Sequence, residues 1–338
     1  MKNSSKYKMI ISMALILAAI LIIQGCSFRE KGNNVQTVDE KQYNIIKVST
    51  PAEVTVPSVY FVGEEMGFFA EEGIKLEYAG VVPSTQVIAS VVAGKMDVGG
   101  IHHVSRTITG IAAGAKIKAV AAGNETTEKL PFLVYVTLKD SPIKTAQDLI
   151  GKKIGTRISG SINEYLLYSY MKQHNIADPK NKVEFLVMKE PEMEQALRQK
   201  DIDVAGFSKT PDFIAERGEF KVLFSDYDVW GSNGGGAPFY FSEQFIKEKP
   251  DVVKHFVAAV AKTNNWINEN PEKAIEITAK RAGRDIKWIK KGHFAPNAII
   301  KDETVQLWID QLTEFGEIKK KVTSNEVYTN EFNPYFNR

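Results

Sequence analysis

The chain has 338 residues, of which 43 are Lys or Arg, 41 are Asp or Glu and one is cysteine. A formal charge of only +2 leaves no excess of positive charge for holding phosphates, which argues against a nucleic-acid partner. One cysteine excludes an internal disulfide, and the length suits about two domains of roughly 150 residues each. Stability must therefore come from buried apolar cores.

The N-terminus has the pattern of an export signal. Three lysines within the first eight residues precede an apolar run over residues 9–23, which is short for a bilayer-spanning helix of roughly 20 residues. Gly25 then precedes Cys26, as in the lipobox of bacterial lipoproteins. We therefore predict a signal peptide over residues 1–25 and a lipid on Cys26, which accounts for the lone thiol. An ordinary secretory signal or a short anchor helix is the alternative.

Removal of this signal takes away three lysines and no acidic residue, which leaves 40 basic against 41 acidic side chains, or −1. The basic character thus belongs to the export signal. Residues 26–43 are polar and aperiodic, and we predict that they form a flexible tether between the lipid and the folded body. No later segment of the sequence is apolar enough to span a bilayer.

The first half of the body alternates strands and helices. Its periodicity predicts β-α-β-α-β-α-β over residues 44–123, with Ser84 as a helix cap and Gly73 and Gly94 as helix ends. The predicted strands are "YNIIKVST", "IKLEYAG", "MDVGGI" and "IKAVAAG", and the predicted helices are "PSVYFVGEEMGFFAEEG", "PSTQVIASVVAGK" and "VSRTITGIAAGAK".

The same order of elements returns in the second half, from "GKKIGTRI" to "FKVLF". Ser161 and Glu164 have the spacing of a capping box at the start of its first helix. The segment "VVAGKMDVGG" also matches "LRQKDIDVAG", with Asp97 over Asp203. We interpret this as two α/β lobes of similar build, and chance similarity of two helix-to-strand turns is the alternative.

The chain then becomes rich in glycine and finally helical. "SDYDVWGSNGGGAPFYF" is predicted to cross back to the first lobe, with Gly234–Gly236 as hinge residues. Helices follow over "KPDVVKHFVAAVAKTNNWINEN", "NPEKAIEITAKRAG" and "DETVQLWIDQLTEFG" and should pack outside a lobe. The aromatic tail "VYTNEFNPYFNR" is expected to dock on the body.

Catalytic patterns are missing from the sequence. It has no G-x-S-x-G, no H-E-x-x-H and no P-loop. The pair His102–His103 follows a predicted strand, where neighbours point to opposite faces, so no metal site is expected there. The other histidines read as isolated surface or capping residues: His174, His255 and His293. We expect no catalytic residue, no metal and no cofactor.

Small polar residues cluster where predicted strands pass into helices, at the edge where open α/β sheets bind ligands. Free N–H groups at helix starts suit an anion there, and hydroxyls add donors. For each hydroxyl the alternative is plain helix capping, and for each aromatic residue it is core packing. The candidate ligand-binding residues are Ser58, Tyr60, Ser84, Thr85, His102, Arg157, Ser159, Ser161, Ser208 and Trp230.

Four segments carry a family resemblance: "GEEMGFFAEEGIKLEY", "VVAGKMDVGG", "DLIGKKIGTRISGS" and "RQKDIDVAG". They resemble the substrate-binding proteins of ABC importers for nitrate, sulfonate, taurine and thiamine-pyrimidine precursors. The resemblance runs from about residue 45 to residue 280. It implies a type II periplasmic-binding-protein fold, with residues 44–135 plus 231–338 as lobe 1, residues 136–230 as lobe 2, and crossovers at "FLVYVTL" and around Trp230.

The resemblance also implies ligand contacts at Ser84–Thr85 and at Ser159–Ser161. A third contact segment reads Ile101-His102-His103 here, where many relatives have small hydroxyl residues, and this departure counts against sulfonate or nitrate. Arg157 has two open interpretations, which are neutralisation of an anionic head group and pairing with a surface carboxylate.

The leading interpretation is a monomeric, lipid-anchored receptor on the extracytoplasmic face of the membrane. It would capture a small organic anion, such as a sulfonate, taurine or a nitrate-like solute, and deliver it to an ABC permease and its ATPase. The alternative ligand is a neutral heterocycle such as a pyrimidine precursor. Two further alternatives are an enzyme that makes this pyrimidine from a lysine-bound cofactor, which the export signal disfavours, and a surface domain that serves no permease.

Overall fold

A computed structural model describes residues 43–52, 54–100, 102–208 and 211–336. The predicted signal peptide, Cys26 and all of the predicted tether except Tyr43 lie outside these residues. Within the described ranges, no helix combines the length and the apolar character needed to cross a membrane.

The described strands form three sheets. Strands β1 and β2 pair in parallel, a four-stranded sheet has the order β11-β4-β10-β3, and a five-stranded sheet has the order β7-β6-β8-β5-β9. Their bounds are β1 Asn44–Val48, β2 Ile74–Tyr78, β3 Val98–Gly99, β4 Ile117–Glu125, β5 Val134–Leu138, β6 Lys153–Thr156, β7 Glu184–Val187, β8 Val204–Phe207, β9 Phe220–Ser225, β10 Gly236–Ser242 and β11 His293–Phe294.

Helices cover these sheets and follow the predicted α/β order. The helix bounds are α1 Val59–Glu65, α2 Phe68–Glu71, α3 Val87–Val92, α4 Val104–Ala112, α5 Ile162–Gln173, α6 Glu190–Gln199, α7 Pro211–Glu216, α8 Asp226–Trp230, α9 Glu243–Glu248, α10 Pro250–Glu269, α11 Pro271–Ala282, α12 Asp302–Glu314 and α13 Ser324–Val327.

The five-stranded sheet is built from one continuous stretch of chain, β5 to β9, and the other two sheets are built from the segments before and after it. Strand β5 begins at Val134, two residues before the predicted lobe boundary at residue 136. The residue ranges of the two lobes stay a prediction.

Packing follows the apolar periodicity of the sequence. Helix α10 buries one face, including Val253, Phe256 and Val260, against the sheet strands and α1. Burial of large aliphatic or aromatic side chains stabilises a fold by about 1.5–3 kcal/mol each. The aromatic tail also packs on this core through Phe332 and Tyr335, so the expected docking of the tail is confirmed.

The internal match between the two halves is confirmed by identical hydrogen bonds. Asp97 Oδ2 accepts from the amide of Lys47 at 2.7 Å, and the amide of Asp97 donates to the carbonyl of Lys47 at 2.9 Å. Asp203 makes the same pair of bonds with Lys153, both at 2.9 Å. Each carboxylate thereby fixes the start of one strand beside its neighbour.

Three local predictions are wrong. The first predicted helix is interrupted by Gly67, whose φ of +78° is left-handed, and it forms α1 and α2 instead. Helix α3 begins after Gln86, so Ser84 lies in a preceding turn and is not the cap. Ser161 precedes α5 but makes no capping bond, because its hydroxyl donates to the carbonyl of Ile158 at 2.7 Å.

Two segments join the five-stranded sheet to the remainder of the fold: residues 126–133, the first crossover, and residues 226–235, the second crossover. The buried carboxylate of Asp226 holds both together. Its Oδ2 accepts from the hydroxyl of Thr126, and its Oδ1 accepts from the amide of Leu133 at 3.0 Å. A Cβ on Gly235 would lie 2.3 Å from Thr126 Oγ1, so the second crossover needs glycine where the two segments touch.

Asp226→Asn should make folding less dependent on pH. Burial raises the pKa of Asp226 to about 6, although its hydrogen bonds oppose this, so its stabilising effect is complete below pH about 4 and is lost as the pH rises through 6. Asparagine keeps the acceptor for Leu133 without the charge. The free energy of unfolding of the variant, relative to the wild type, should therefore rise between pH 4 and pH 7.5 by up to about 3 kcal/mol.

Urea titrations at both pH values measure this difference. Asp140→Asn, at an exposed position, is the control and should show no such change. Equal effects of the two substitutions would contradict the assignment to Asp226.

Candidate functional site

A cavity of about 600 Å³ opens where β1, β2 and β4 end. Most of its wall comes from the segments that follow these strands, from the first crossover and from β11 with the residues before it. The five-stranded sheet contributes two residues that follow β6 and β8, Arg157 and Ser208. The described lining residues are Thr50, Pro51, Ala52, Val54–Tyr60, Val81–Ser84, Gly123–Glu125, Leu130–Phe132, Arg157, Ser208, Ala237, Phe239 and Lys290–Phe294.

Five of the ten predicted ligand-binding residues lie in this wall: Ser58, Tyr60, Ser84, Arg157 and Ser208. Ser58 has a second role, because its hydroxyl accepts from the amide of Phe61 at 3.4 Å and so caps α1. Tyr60 is almost fully buried and packs on Phe239, with ring centroids 5.6 Å apart. Their contact with a ligand stays a prediction.

The other five lie outside the lining. Thr85 and Ser159 are exposed on turns. Ser161 is buried, and its hydroxyl donates to the carbonyl of Ile158. Trp230 ends α8 and packs on Trp308 at a centroid distance of 4.8 Å.

The fifth is His102, which is buried against Tyr240 at a centroid distance of 5.4 Å. Both of its ring nitrogens lack a hydrogen-bond partner among the described residues. Its contact with a ligand stays a prediction.

The positive charges of the cavity have partners at different distances. Arg157 is one-third exposed, and its nearest carboxylate oxygen, Glu190 Oε1, is 3.9 Å away. Glu190 Oε1 also accepts from the amide of Ser208 at 3.0 Å, so it is shared between two lining residues. Lys291 is half-exposed and pairs with Glu272 at 2.5 Å.

Glu125 is the acidic residue in the described lining, and Lys301 pairs with it. Its Oε2 lies 2.9 Å from Lys301 Nζ, and its Oε1 lies 3.4 Å from His293 Nε2. Counted by residue, the described lining holds three cationic side chains, Arg157, Lys290 and Lys291, against this one carboxylate, which is an excess of positive charge.

Sequence reasoning missed the segment from Lys290 to Phe294. It lies between two predicted helices and has no predicted element of its own, and the pattern indicates that His293 is an isolated surface or capping residue. In the structure β11 pairs antiparallel with β4, and His293 lies opposite Glu125. A two-residue strand has no periodicity of its own, so only the charge cluster "KWIKKGHF" marked this segment.

His103 supports the second crossover behind the cavity. Its Nε2 donates to the carbonyl of Gly234 at 2.9 Å, and its Nδ1 accepts from the amide of Ser105 at 3.2 Å. Burial lowers the pKa of His103 to about 3, so the ring is neutral at physiological pH. In the part of the chain that the structure describes, no three His, Cys, Asp or Glu side chains are grouped as metal ligands.

Comparison with known proteins identifies the family. The sequence model described as "NMT1/THI5 like" matches residues 54–274, roughly two thirds of the chain. The chain belongs to the NMT1/THI5-like family. A protein of Brucella abortus (strain 2308), provisionally named a binding protein, is 22% identical over 297 residues, which cover 84% of this chain and 89% of the relative.

Solved structures establish the fold. The periplasmic aliphatic sulphonate binding protein SsuA of Escherichia coli is 17% identical, with a TM-score of 0.66 over 83% of this chain and 91% of its own. The desulfurization enzyme DSZB is 13% identical, with a TM-score of 0.62 over 86% and 97%. The predicted family resemblance and the two-lobed periplasmic-binding-protein fold are confirmed, and this fold is shared by a binding protein and an enzyme.

His102→Leu should stabilise the protein in acid. Burial, with a smaller effect of Arg106, lowers the pKa of His102 to about 4. Its stabilising effect is therefore present above the unfolded value of about 6.5 and is lost as the pH falls through 4. The difference in the free energy of unfolding between the variant and the wild type should therefore be about 2 kcal/mol more favourable to the variant at pH 5 than at pH 8.

Thermal or urea unfolding at the two pH values measures the gain. His174→Leu, at an exposed histidine, is the control. A gain that does not depend on pH would show that packing, rather than the charge of the ring, determines the effect.

Proposed function

We propose that this protein is an extracytoplasmic receptor that closes its two lobes over a small organic anion with an apolar body. In this proposal, lobe 1 comprises residues 44–135 and 231–338, and lobe 2 comprises residues 136–230. The observation that carries the proposal is the cavity of about 600 Å³ with an excess of positive charge.

Charge favours an anion over a neutral solute. Arg157 is held at 3.9 Å from Glu190, which is long for an ion pair, so an anionic head group competes with a weak partner. A hydrogen bond to a charged group contributes about 1.5–3 kcal/mol. Ser208 and Ser58 lie in the same wall and offer hydroxyl donors.

Size and polarity favour an organic anion over an inorganic one. Pockets of about 300–1,000 Å³ are typical of organic ligands, and this cavity is far larger than a nitrate ion. Its wall is largely apolar, with Val54, Val56, Val82, Phe132 and Phe239 among its residues. An alkyl or aryl body therefore has a surface on which to be buried.

The names of similar proteins favour binding over catalysis. The E. coli sulphonate-binding protein and the Brucella relative are named for binding. DSZB shares the fold and is an enzyme, so the fold by itself does not decide between the two activities. A neutral heterocycle is the second ligand class, favoured by the aromatic wall of Tyr60, Phe132 and Phe239.

The export signal and Cys26 extend the proposal to location and partners. A lipid on Cys26 would hold the receptor, as a monomer, on the outer face of the membrane. Its partners would be an ABC permease and the ATPase of that permease, with no role for nucleic acid.

The function predicts graded binding of alkanesulfonates to protein without its leader. Each added methylene should lower the Kd about fourfold from ethane- to octanesulfonate, until the apolar wall is covered, since a buried methylene contributes about 0.8 kcal/mol. Calorimetry measures the series. Arg157→Gln should weaken binding about 10- to 100-fold, whereas Arg198→Gln, a surface arginine of the same lobe paired with Glu219, should not.

Binding of a pyrimidine in the same assay, with no response to any sulfonate or carboxylate, would replace the anion with the neutral heterocycle. Absorbance of a cofactor on the purified protein would instead favour the enzyme.

Cys26→Ser should release the protein from the membrane of the cell that makes it. The serine hydroxyl does not replace the cysteine sulfur as the attachment site of the lipid. Fractionation followed by immunoblotting should move the protein from the membrane to the soluble extracytoplasmic fraction. A control substitution, Ser27→Ala, should leave it on the membrane, and retention of both variants there would contradict lipid anchoring.

A further inference from the structure

Lys290 connects the cavity to the first crossover. Its side chain is only 9% exposed and lines the cavity. Its Nζ donates to the carbonyls of Pro131 at 3.2 Å and Phe132 at 3.4 Å. Both carbonyls belong to the first crossover, and both residues also line the cavity. One ammonium group thus reaches the binding space and the segment that joins the two halves of the fold.

The backbone of Lys290 is bonded to another segment of the cavity wall. Its amide donates to the carbonyl of Thr55 at 2.9 Å, and Thr55 lies in the lining segment that precedes α1. Two residues further on, Gly292 lies against Val56, where a Cβ would come within 3.3 Å of Val56 Cγ1. The backbone of Lys290 is therefore bonded to the segment before α1, while its charged end holds the first crossover.

The charge of Lys290 also acts on the residue that joins the two crossovers. Asp226 is buried and bonded to Thr126 and Leu133, close to the two ends of the first crossover. The positive charge of Lys290 lowers the pKa of Asp226 and so opposes the larger effect of burial. The ammonium and the carboxylate thus stabilise the same segment from two sides.

We propose that Lys290 is a positioning residue that clamps the first crossover to the cavity wall, and that an anion in the cavity acts on the first crossover through the ammonium group of Lys290. The part of the proposal that concerns the ligand rests on the proposed function. The contact between Lys290 and the first crossover does not depend on that function. An anion beside Nζ competes with the carbonyls of Pro131 and Phe132 for the same charge. Anion binding then weakens the bonds of Lys290 to the first crossover, and those bonds in turn weaken anion binding.

The neighbouring lysine provides a matched contrast. Lys291 lines the same cavity and carries the same charge, but its side chain is 51% exposed and pairs with Glu272 at 2.5 Å. If only the positive charge of the wall mattered, Lys290 and Lys291 would have similar roles. If the clamp matters, only Lys290 affects the crossover.

Hydrogen–deuterium exchange over residues 126–133 tests the clamp in the free protein. Lys290→Met should speed exchange of this segment at least tenfold, because its stem still packs but the two carbonyls lose their donor. Lys291→Met should change it less than twofold. Lys290→Leu, which also removes the donor, replaces the methionine variant if that variant does not fold, as checked by its melting temperature.

Octanesulfonate at saturation tests the coupling. It should change exchange of residues 126–133 in the wild type and in Lys291→Met, but not in Lys290→Met, with occupancy checked by calorimetry. Equal exchange of free wild type and free Lys290→Met overturns the clamp. A ligand-induced change that persists in Lys290→Met overturns the coupling. If the wild type binds no sulfonate, the proposed function fails, and the exchange of the free proteins still decides the clamp.

Discussion

The buried carboxylate of Asp226 is the interaction on which the arrangement of this protein depends. It accepts hydrogen bonds from Thr126 and Leu133 in one crossover while it begins the other. A carboxylate that is buried away from water needs such hydrogen-bond donors, because burial of an unpaired charge has a large free-energy cost. The two passages of the chain between its sheets are therefore fixed side by side, and the cavity wall at Leu130–Phe132 is positioned with them.

Around this junction the protein uses one local device twice. Asp97 and Asp203 each bind the main chain of a lysine in a neighbouring strand, Lys47 of β1 and Lys153 of β6. In the second half this bond aligns the parallel strands β6 and β8, so that their carboxyl ends reach the same edge of one sheet. Parallel strands aligned in this way bring the segments that follow them to a common place, as open α/β sheets do at their ligand sites.

The sequence was sufficient for the elements and for the repeat, because both depend on local periodicity. It predicted the order of strands and helices and the match of Asp97 with Asp203. It was less informative about the cavity, because Lys290 and His293 reach the wall only through the pairing of β11 with the distant strand β4. A local signal also misled where a tertiary contact changed it, as for Ser161, whose hydroxyl donates to the preceding carbonyl of Ile158 and does not cap the helix.

The unequal division of the wall has a kinetic meaning. The five-stranded sheet offers little more than Arg157 and Ser208, while the facing side supplies the apolar floor and two lysines. If the protein binds an anion as proposed, most of the contact surface of the ligand would lie outside the five-stranded sheet, and closure would add Arg157 and Ser208. First contact with the larger part of the wall and closure over the ligand would then be separate steps that involve different residues.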